Sequence, residues 1–356
     1  MNLELARILD RFAGARIAVI GDLVADEFVY GETDRISREA PVLIVRYESS
    51  ELKAGGGANA VANLCALGAR VLPVGIVGDD EIGRRLRALL EEQGADVSGV
   101  LVAPGRPTAT KTRVLAGGKN TRRQQMIRID RDGPGAPAPD LIVKLQKLLG
   151  EAAQRADAVL VSDYGLGLLA PPLVETVCAL ARAGRIVCAD ARYGLSQYRG
   201  VALAKPNEVE LEQAAGRRIG DDPQALEDAG RGLLRTLGCG ALLVTRGRSG
   251  MALLRAGVPT ALLPVHGSHD AVDVTGAGDT VMAASTLSLA CGADALDAAR
   301  LANVAGALKV QKAGTATVTV AELRAELARG PVAQALAVGQ ESAPGAQGHG
   351  PSGAAR

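Results

Sequence analysis

Short continuous runs of β-branched and aliphatic residues recur along the chain at 16–20, 70–74, 158–161, 185–189, 241–245 and 251–254. Between them lie longer segments whose apolar positions repeat at helical spacing, at about 57–68, 79–94, 140–155, 171–183, 207–215, 223–237 and 276–291. Runs without polar alternation suit strands buried on both faces, and strands alternating with helices predict a mainly parallel sheet covered by helices. The fold class is therefore α/β.

Two stretches break that rhythm. Residues 28–53, with Val42-Leu43-Ile44-Val45, and residues 108–130, with apolar runs at 110–115 and 125–129, read as extended strands or hairpins. They are expected to pair as a small lid sheet over the strand ends, where ligands of open α/β sheets bind. The alternative is two further edge strands of the main sheet, which their charge content disfavours. Beyond Gly330 the chain turns to Pro, Gly, Ala, Gln and Ser, so residues 1–330 are expected to form the folded domain and residues 331–356 a disordered low-complexity tail.

Composition narrows the function. With 356 residues the chain can bury a large core, in two domains or in one with an accessory element. Lys plus Arg (40) nearly equals Asp plus Glu (39), so no overall field draws it to nucleic acid or an anionic membrane. Aromatics are 2% with no Trp, which argues against base-stacking platforms. The five cysteines are scattered and form no C-x-x-C pair, as expected of buried thiols in a reducing cytosol. The apolar run at 17–20 is too short for a signal peptide core or membrane span, so a cytoplasmic location is expected. His266, His269 and His349 form no H-E-x-x-H or H-x-G-H pattern, and no zinc site is expected.

The strongest chemical signal is Asp273-Val274-Thr275-Gly276-Ala277-Gly278-Asp279-Thr280, followed by an apolar helical pattern. Small residues expose backbone amides at a helix N-terminus, which attracts anions. Phosphoryl transfer needs stabilised charge on the moving group and a base near the acceptor hydroxyl. The amides of Gly276, Ala277 and Gly278 could supply the first and Asp279 the second. Taken alone, the run could equally be a tight turn with Asp279 as helix cap. A second glycine cluster, Ala54-Gly55-Gly56-Gly57-Ala58-Asn59, also opens a helix, and Asn59 offers the donor and acceptor that suit a pair of sugar hydroxyls.

Together, in this order, the two clusters resemble both signatures of the PfkB (ribokinase-like) carbohydrate kinases, over roughly residues 14–325. Asn207-Glu208-Val209-Glu210 is similar to the family's N-x-x-E element, and Thr245-Arg246-Gly247-Arg248-Ser249-Gly250 to its T-x-G-x-x-G turn. The resemblance implies a ribokinase-like three-layer sandwich with a β lid, ATP and Mg2+ as cofactors, and a homodimer formed through the lid strands. It implies that Asp279 is the base and that the amides of Gly276, Ala277 and Gly278 are the anion hole. Asp22, Gly55, Gly56 and Asn59 would then hold the sugar. Asn207, Glu210 (Mg2+ through water), Thr245, Gly247, Gly250 and Asn303 would surround the nucleotide. Asp273, Thr275 and carbonyls around Gly314 resemble a site for a monovalent cation such as K+.

Further segments resemble the heptose-7-phosphate kinases of ADP-heptose biosynthesis: Gly21-Asp22 with Asp26, Arg35-Ile36-Ser37, Glu39-Ala40-Pro41-Val42, Thr110-Lys111-Thr112-Arg113 and Gln124-Gln125-Met126-Ile127-Arg128. That subgroup phosphorylates an anomeric hydroxyl, and a phosphorylated substrate needs cations. Arg35, Lys111, Arg113 and Arg128 are the candidates, each of which could instead be a solvated charge on a lid strand. Two positions depart from the pattern. Leu166 and Arg192 stand where the subgroup has lysines: Arg192 could still bind a phosphate bidentately, but Leu166 cannot, so the pocket could take a different or unphosphorylated sugar. The adenylyltransferase domain fused to some relatives is not expected here.

Overall fold

The computed structural model describes residues 3–118, 123–133, 135–267 and 270–330, and the backbone at 336–337. The expected tail and His269 therefore lie almost wholly outside the described residues. The chain order is α1 (Leu3–Asp10), β1 (Arg16–Gly21), β2 (Leu23–Ile36), β3 (Leu43–Gly56), α2 (Gly57–Ala66), β4 (Arg70–Gly78), α3 (Glu81–Glu92), β5 (Val100–Ala103), β6 (Thr110–Gly117) and β7 (Gln124–Arg131). It continues with α4 (Pro139–Arg155), β8 (Ala158–Asp163), α5 (Pro171–Arg182), β9 (Ile186–Ala191), β10 (Leu203–Ala204), α6 (Glu208–Ala215), α7 (Pro223–Leu237) and β11 (Ala241–Thr245). The remainder is β12 (Met251–Arg255), β13 (Val258–Leu263), α8 (Ala277–Ala290), α9 (Ala295–Val310), α10 (Val320–Arg329) and β14 (Leu336–Ala337).

The main sheet runs β14-β13-β12-β11-β10-β9-β8-β1-β4-β5. It is parallel from β11 to β5 and antiparallel from β11 to β14. Side-chain alternation divides its apolar residues between two cores. Ile17, Val19, Leu160 and Leu243 pack with α1, α2, α3, α8, α9 and α10, whereas Ala18, Ile20, Val161 and Val244 pack with α4, α5, α6 and α7. Both faces are covered, hence the unbroken apolar strands and the three layers that the sequence predicts.

Sequence patterning leaves α9 and α10 unassigned. In α9 Ala298, Ala299, Leu301, Ala302, Val304 and Ala305 are all buried, so it lies inside the protein with no amphipathic contrast to read. The short β5, β10 and β13 are likewise legible only once paired.

The two exceptional segments form the separate lid. Its order is β3-β2-β6-β7, with β2 antiparallel to β3 and parallel to β6, and β6 antiparallel to β7. Lid strands β2 and β3 reach further inward than expected, to Leu23 and Gly56, because β2 begins one residue after β1 ends. The lid is thus an extension of core strand β1, rooted beside the site.

Candidate active site

In the parallel sheet, β1 is followed outward by β4 and β5, after which the chain returns to place β8 on the other side of β1. The crevice at this reversal, outside the carboxyl ends of the strands, is where such sheets bind ligands. Asp22 follows β1, Tyr164 follows β8, Asp190 lies at the end of β9, Lys205 follows β10 and Thr245 closes β11. All five stand at that edge.

The turn leading into α8 faces the crevice. Gly276 has φ 76°, and a Cβ there would lie 2.6 Å from Asn59 Nδ2, so only glycine fits both the conformation and the contact. The amide of Ala277 donates to the Val274 carbonyl at 3.1 Å, closing the turn on itself. The expected anion hole therefore contracts. From Gly276 to Asp279 in this turn, the amides of Gly276, Gly278 and Asp279 make no hydrogen bond to the described residues.

Asp279 is 5% exposed in the first turn of α8. Its Oδ2 accepts from Asn59 Nδ2 at 2.6 Å and its Oδ1 from the Tyr164 hydroxyl at 2.7 Å. Burial raises its pKa to about 6; the hydrogen bonds of Asn59 and Tyr164 and the charge of Lys205 pull downward, while Asp190 pushes upward. Such a pKa suits a carboxylate that takes up a proton near neutrality. A serial network fixes its partner, since Thr280 Oγ1 donates to Asn63 Oδ1 at 2.8 Å and Asn63 Nδ2 donates to Asn59 Oδ1 at 3.1 Å. Asn59, expected on the sugar hydroxyls, commits its amide to Asp279 and its carbonyl oxygen to Asn63.

Asp22 is similarly committed. Its carboxylate accepts the amides of Tyr164 (2.9 Å), Leu166 (3.2 Å) and Leu168 (3.4 Å). Rather than pointing a carboxylate at sugar hydroxyls, it ties down the loop that carries Tyr164 to Asp279. Burial raises the Asp22 pKa, and the three amides oppose the shift.

The lid brings cations over this floor. Lys111 Nζ lies 5.3 Å from the Tyr164 ring centroid, and burial lowers its pKa against the attraction of Asp26. Arg113 pairs with buried Asp26 at 2.7 Å across β2 and β6 and stacks 5.3 Å from the Phe28 ring. Gly55 permits that pair, because a Cβ there would lie 2.7 Å from Asp26 Cγ. Gly56 precedes α2 directly. Arg128 pairs with Asp130 on exposed β7, and Arg192 is exposed against Tyr193. Both act electrostatically on Lys111. Arg35 is not brought to the cluster: it is exposed at the far end of β2.

Sequence reasoning missed a buried ion pair beneath the turn. Lys205, 4% exposed, pairs with Asp190 at 3.0 Å and lies under Gly278. Burial works against its charge, but Asp190, Glu210 and Asp279 outweigh it and raise the Lys205 pKa. Its signal was a lysine ending an apolar run two residues before Asn207. Tyr164 was equally visible as a residue but had no role until the loop folded back.

On the other side of the turn is a cavity of about 610 Å³ reached by Thr245, Gly247, Gly250, Ala277, Gly278 and Asn303. Asn303 Nδ2 donates to the Pro264 carbonyl at 2.7 Å, and Asn207 bridges to Thr245. These expected nucleotide residues converge. Asn207 and Glu210 also form the capping box of α6: Asn207 Oδ1 accepts the Glu210 amide and Glu210 Oε2 accepts the Asn207 amide, both at 2.8 Å. Among the described residues no three His, Cys, Asp or Glu side chains gather to hold a metal ion. A magnesium ion carried by nucleotide phosphates and water needs no such cluster, and Glu210 is the carboxylate that would act on it through water.

The expected monovalent-cation site does not fit. The Asp273 carboxylate accepts the amides of Thr275 (2.8 Å) and Gly314 (2.7 Å), and the ammonium of Lys309 donates to the Asp273 carbonyl at 3.1 Å. A positive side chain already stands on the oxygen a dissolved cation would need.

Comparison with known proteins agrees with this geometry. Residues 15–322 match the pfkB family carbohydrate kinases. The chain is 40% identical over 331 residues to the Bifunctional protein HldE of Citrifermentans bemidjiense, covering 92% of this chain and 66% of that protein. It is 41% identical over 307 residues to that of Geobacter sulfurreducens, covering 86% and 61%. The chain thus spans about two thirds or less of the length of these relatives. Its fold is that of Arabidopsis thaliana ribokinase complexed with ribose and ATP (TM-score 0.67, 22% identity, 88% of this chain and 98% of that one). It also matches phosphofructokinase-2 from Escherichia coli in complex with substrates and products (TM-score 0.70, 18% identity, 88% and 99%). Strand-end crevice, poised aspartate, amide turn and matched sequence together make this chain a member of the PfkB family of carbohydrate kinases.

Proposed function

We propose that this kinase phosphorylates the anomeric hydroxyl of D-glycero-D-manno-heptose 7-phosphate, using Mg-ATP and giving the 1,7-bisphosphate. The observation that carries this reading is the buried Asp279 carboxylate, held by Asn59 and Tyr164 between the amide turn and the lid cations. About 40% identity to proteins named HldE supports the heptose in particular.

In this mechanism Asp279 accepts the proton of the acceptor hydroxyl as its oxygen bonds to the γ-phosphorus and the bond to the ADP oxygen breaks. The amides of Gly276 and Gly278, at the positive end of α8, bind the negative charge of the moving group. Lys205 adds positive charge from below. Magnesium bound to the phosphates would neutralise charge on the nucleotide. Lys111, with Arg113, Arg128 and Arg192, forms the cationic wall for the 7-phosphate.

A second reading, a kinase for another sugar, is favoured by Leu166, which lines a small cavity with Asp22 and Arg106 and brings no charge to it. ATP consumption against heptose 7-phosphate, fructose 6-phosphate, ribose, fructose and adenosine separates the two. Best turnover with an unphosphorylated sugar sinks the heptose assignment. Asp279→Asn should lose on the order of a hundredfold or more in kcat; unchanged turnover sinks the base.

The lid also supports a reading of the assembly. Cross-strand register aligns Val114 with Ile127 and Thr112 with Ile129, and Ile127 (54%) and Ile129 (55%) are exposed. An apolar lid face of this kind favours a homodimer through the lids, acting on a small-molecule substrate in the cytoplasm. No helix among the described residues is long and apolar enough to cross a membrane.

A further inference from the structure

Lys309 lies in the last turn of α9 and is 0% exposed. A buried ammonium needs partners for its charge. Among the described residues it pairs with no carboxylate; its partners are the carbonyl oxygens of Asp273 at 3.1 Å and Lys312 at 3.5 Å. The Asp273 carboxylate, whose charge acts on Lys309, is occupied by the amides of Thr275 and Gly314. The Val310 carbonyl accepts the amides of Val272 (2.8 Å) and Asp273 (3.0 Å), so segments 272–275 and 309–314 are stitched into one seam. That seam leads directly into Gly276.

A compact positive charge surrounded by main-chain carbonyls, beside a carboxylate it does not touch, has the environment of a bound monovalent metal ion. Burial lowers the Lys309 pKa and the charge of Lys312 adds to that shift, while Asp273 and Asp279 act in the opposite sense. A lysine here has two physical consequences. It holds the carbonyl of Asp273 and hence the approach to the amide turn, and it repels any second cation from the same oxygens. Because it is covalently attached, the site carries its charge at any salt composition.

We propose that the Lys309 ammonium is a tethered monovalent cation, a positioning group that fixes the Gly276–Gly278 turn so that phosphoryl transfer does not depend on dissolved K+. The proposal rests on the kinase reading of that turn but not on which sugar is the acceptor.

The experiment compares wild type with Lys309→Met and Lys309→Gln, with ADP measured by chromatography because potassium-dependent coupling enzymes would confuse the result. Assays contain potassium chloride or an equal concentration of tetramethylammonium chloride. Wild-type kcat should be the same in both. The variants should lose on the order of tenfold or more in tetramethylammonium and regain activity with K+ or Rb+. Thermal melting in the same two salts gives a readout free of any acceptor: K+ should stabilise the variants selectively and leave wild type unmoved. Activation or selective stabilisation of wild type by K+ overturns the proposal, even if the variants fail to fold. So does a folded Lys309→Met with wild-type turnover and no response to K+. Failure to find an acceptor leaves the melting comparison intact, so the two readings fail separately.

Discussion

The hydroxyl of Tyr164 donates to Oδ1 of Asp279 at 2.7 Å, joining a loop after β8 to the first turn of α8. Burial and the carboxylates around it push the Tyr164 pKa well above 10, so the phenol stays a neutral donor throughout the working range. The bond favours the charged form of Asp279. Tyr164→Phe should therefore move the acid limb of the kcat/KM profile upward from wild type and lower turnover at neutral pH. A pH–rate profile checks this, and an unmoved limb would reduce Tyr164 to a packing residue.

The wild-type profile itself has a defined sign. Asp279 can accept a proton only when ionised, and its pKa is about 6. kcat/KM should be level above that value and fall about tenfold per pH unit below it. A profile flat down to pH values near the ordinary carboxylate range would exclude Asp279 as the base.

Lys205 and Asp190 test the floor of the site. Lys205→Met leaves Asp190 next to the turn without its partner and should destabilise the fold by about 3 kcal/mol, read by urea denaturation. Lys205→Met combined with Asp190→Asn should recover part of that stability but not the activity, because the positive charge under Gly278 is still missing.

Asp22→Asn should act through the loop it holds. The new amide group turns two hydrogens towards a set of donors, the Tyr164, Leu166 and Leu168 amides, at a cost of about 1–3 kcal/mol. Turnover should fall more than substrate affinity, since Tyr164 loses its station while the lid cations keep theirs. A rise in KM with unchanged kcat would instead support direct contact between Asp22 and the sugar.

Some of the site was legible in the chain because local chemistry suffices to mark it. A Gly-Ala-Gly turn ahead of a buried helix and Asp279 at that helix's start mark a candidate anion site and a candidate base without tertiary information. The lid, too, announced itself by charge and extended patterning that did not match the helix-strand alternation. Partner choice was not legible. Asn59 has the atoms to hold a sugar, and only its approach to Asp279 and Asn63 shows those atoms already taken. Asp22 reads as a ligand until the loop at 164–168 folds onto it. Arg35 and Lys111 look alike as lid cations, yet strand length carries one away and sets the other over Tyr164.

By itself, then, the sequence determined most of the elements and the two glycine turns and marked Asp279 as the candidate base, since periodicity and backbone geometry depend on neighbours a few residues apart. Tertiary structure alone decided which polar atoms remain available to a ligand, placed Lys205 under the turn, and put the Lys309 ammonium where a dissolved cation was expected. Those outcomes depend on residues 36 to 220 positions apart meeting at the strand ends, where burial makes each charge and hydrogen bond select a single partner.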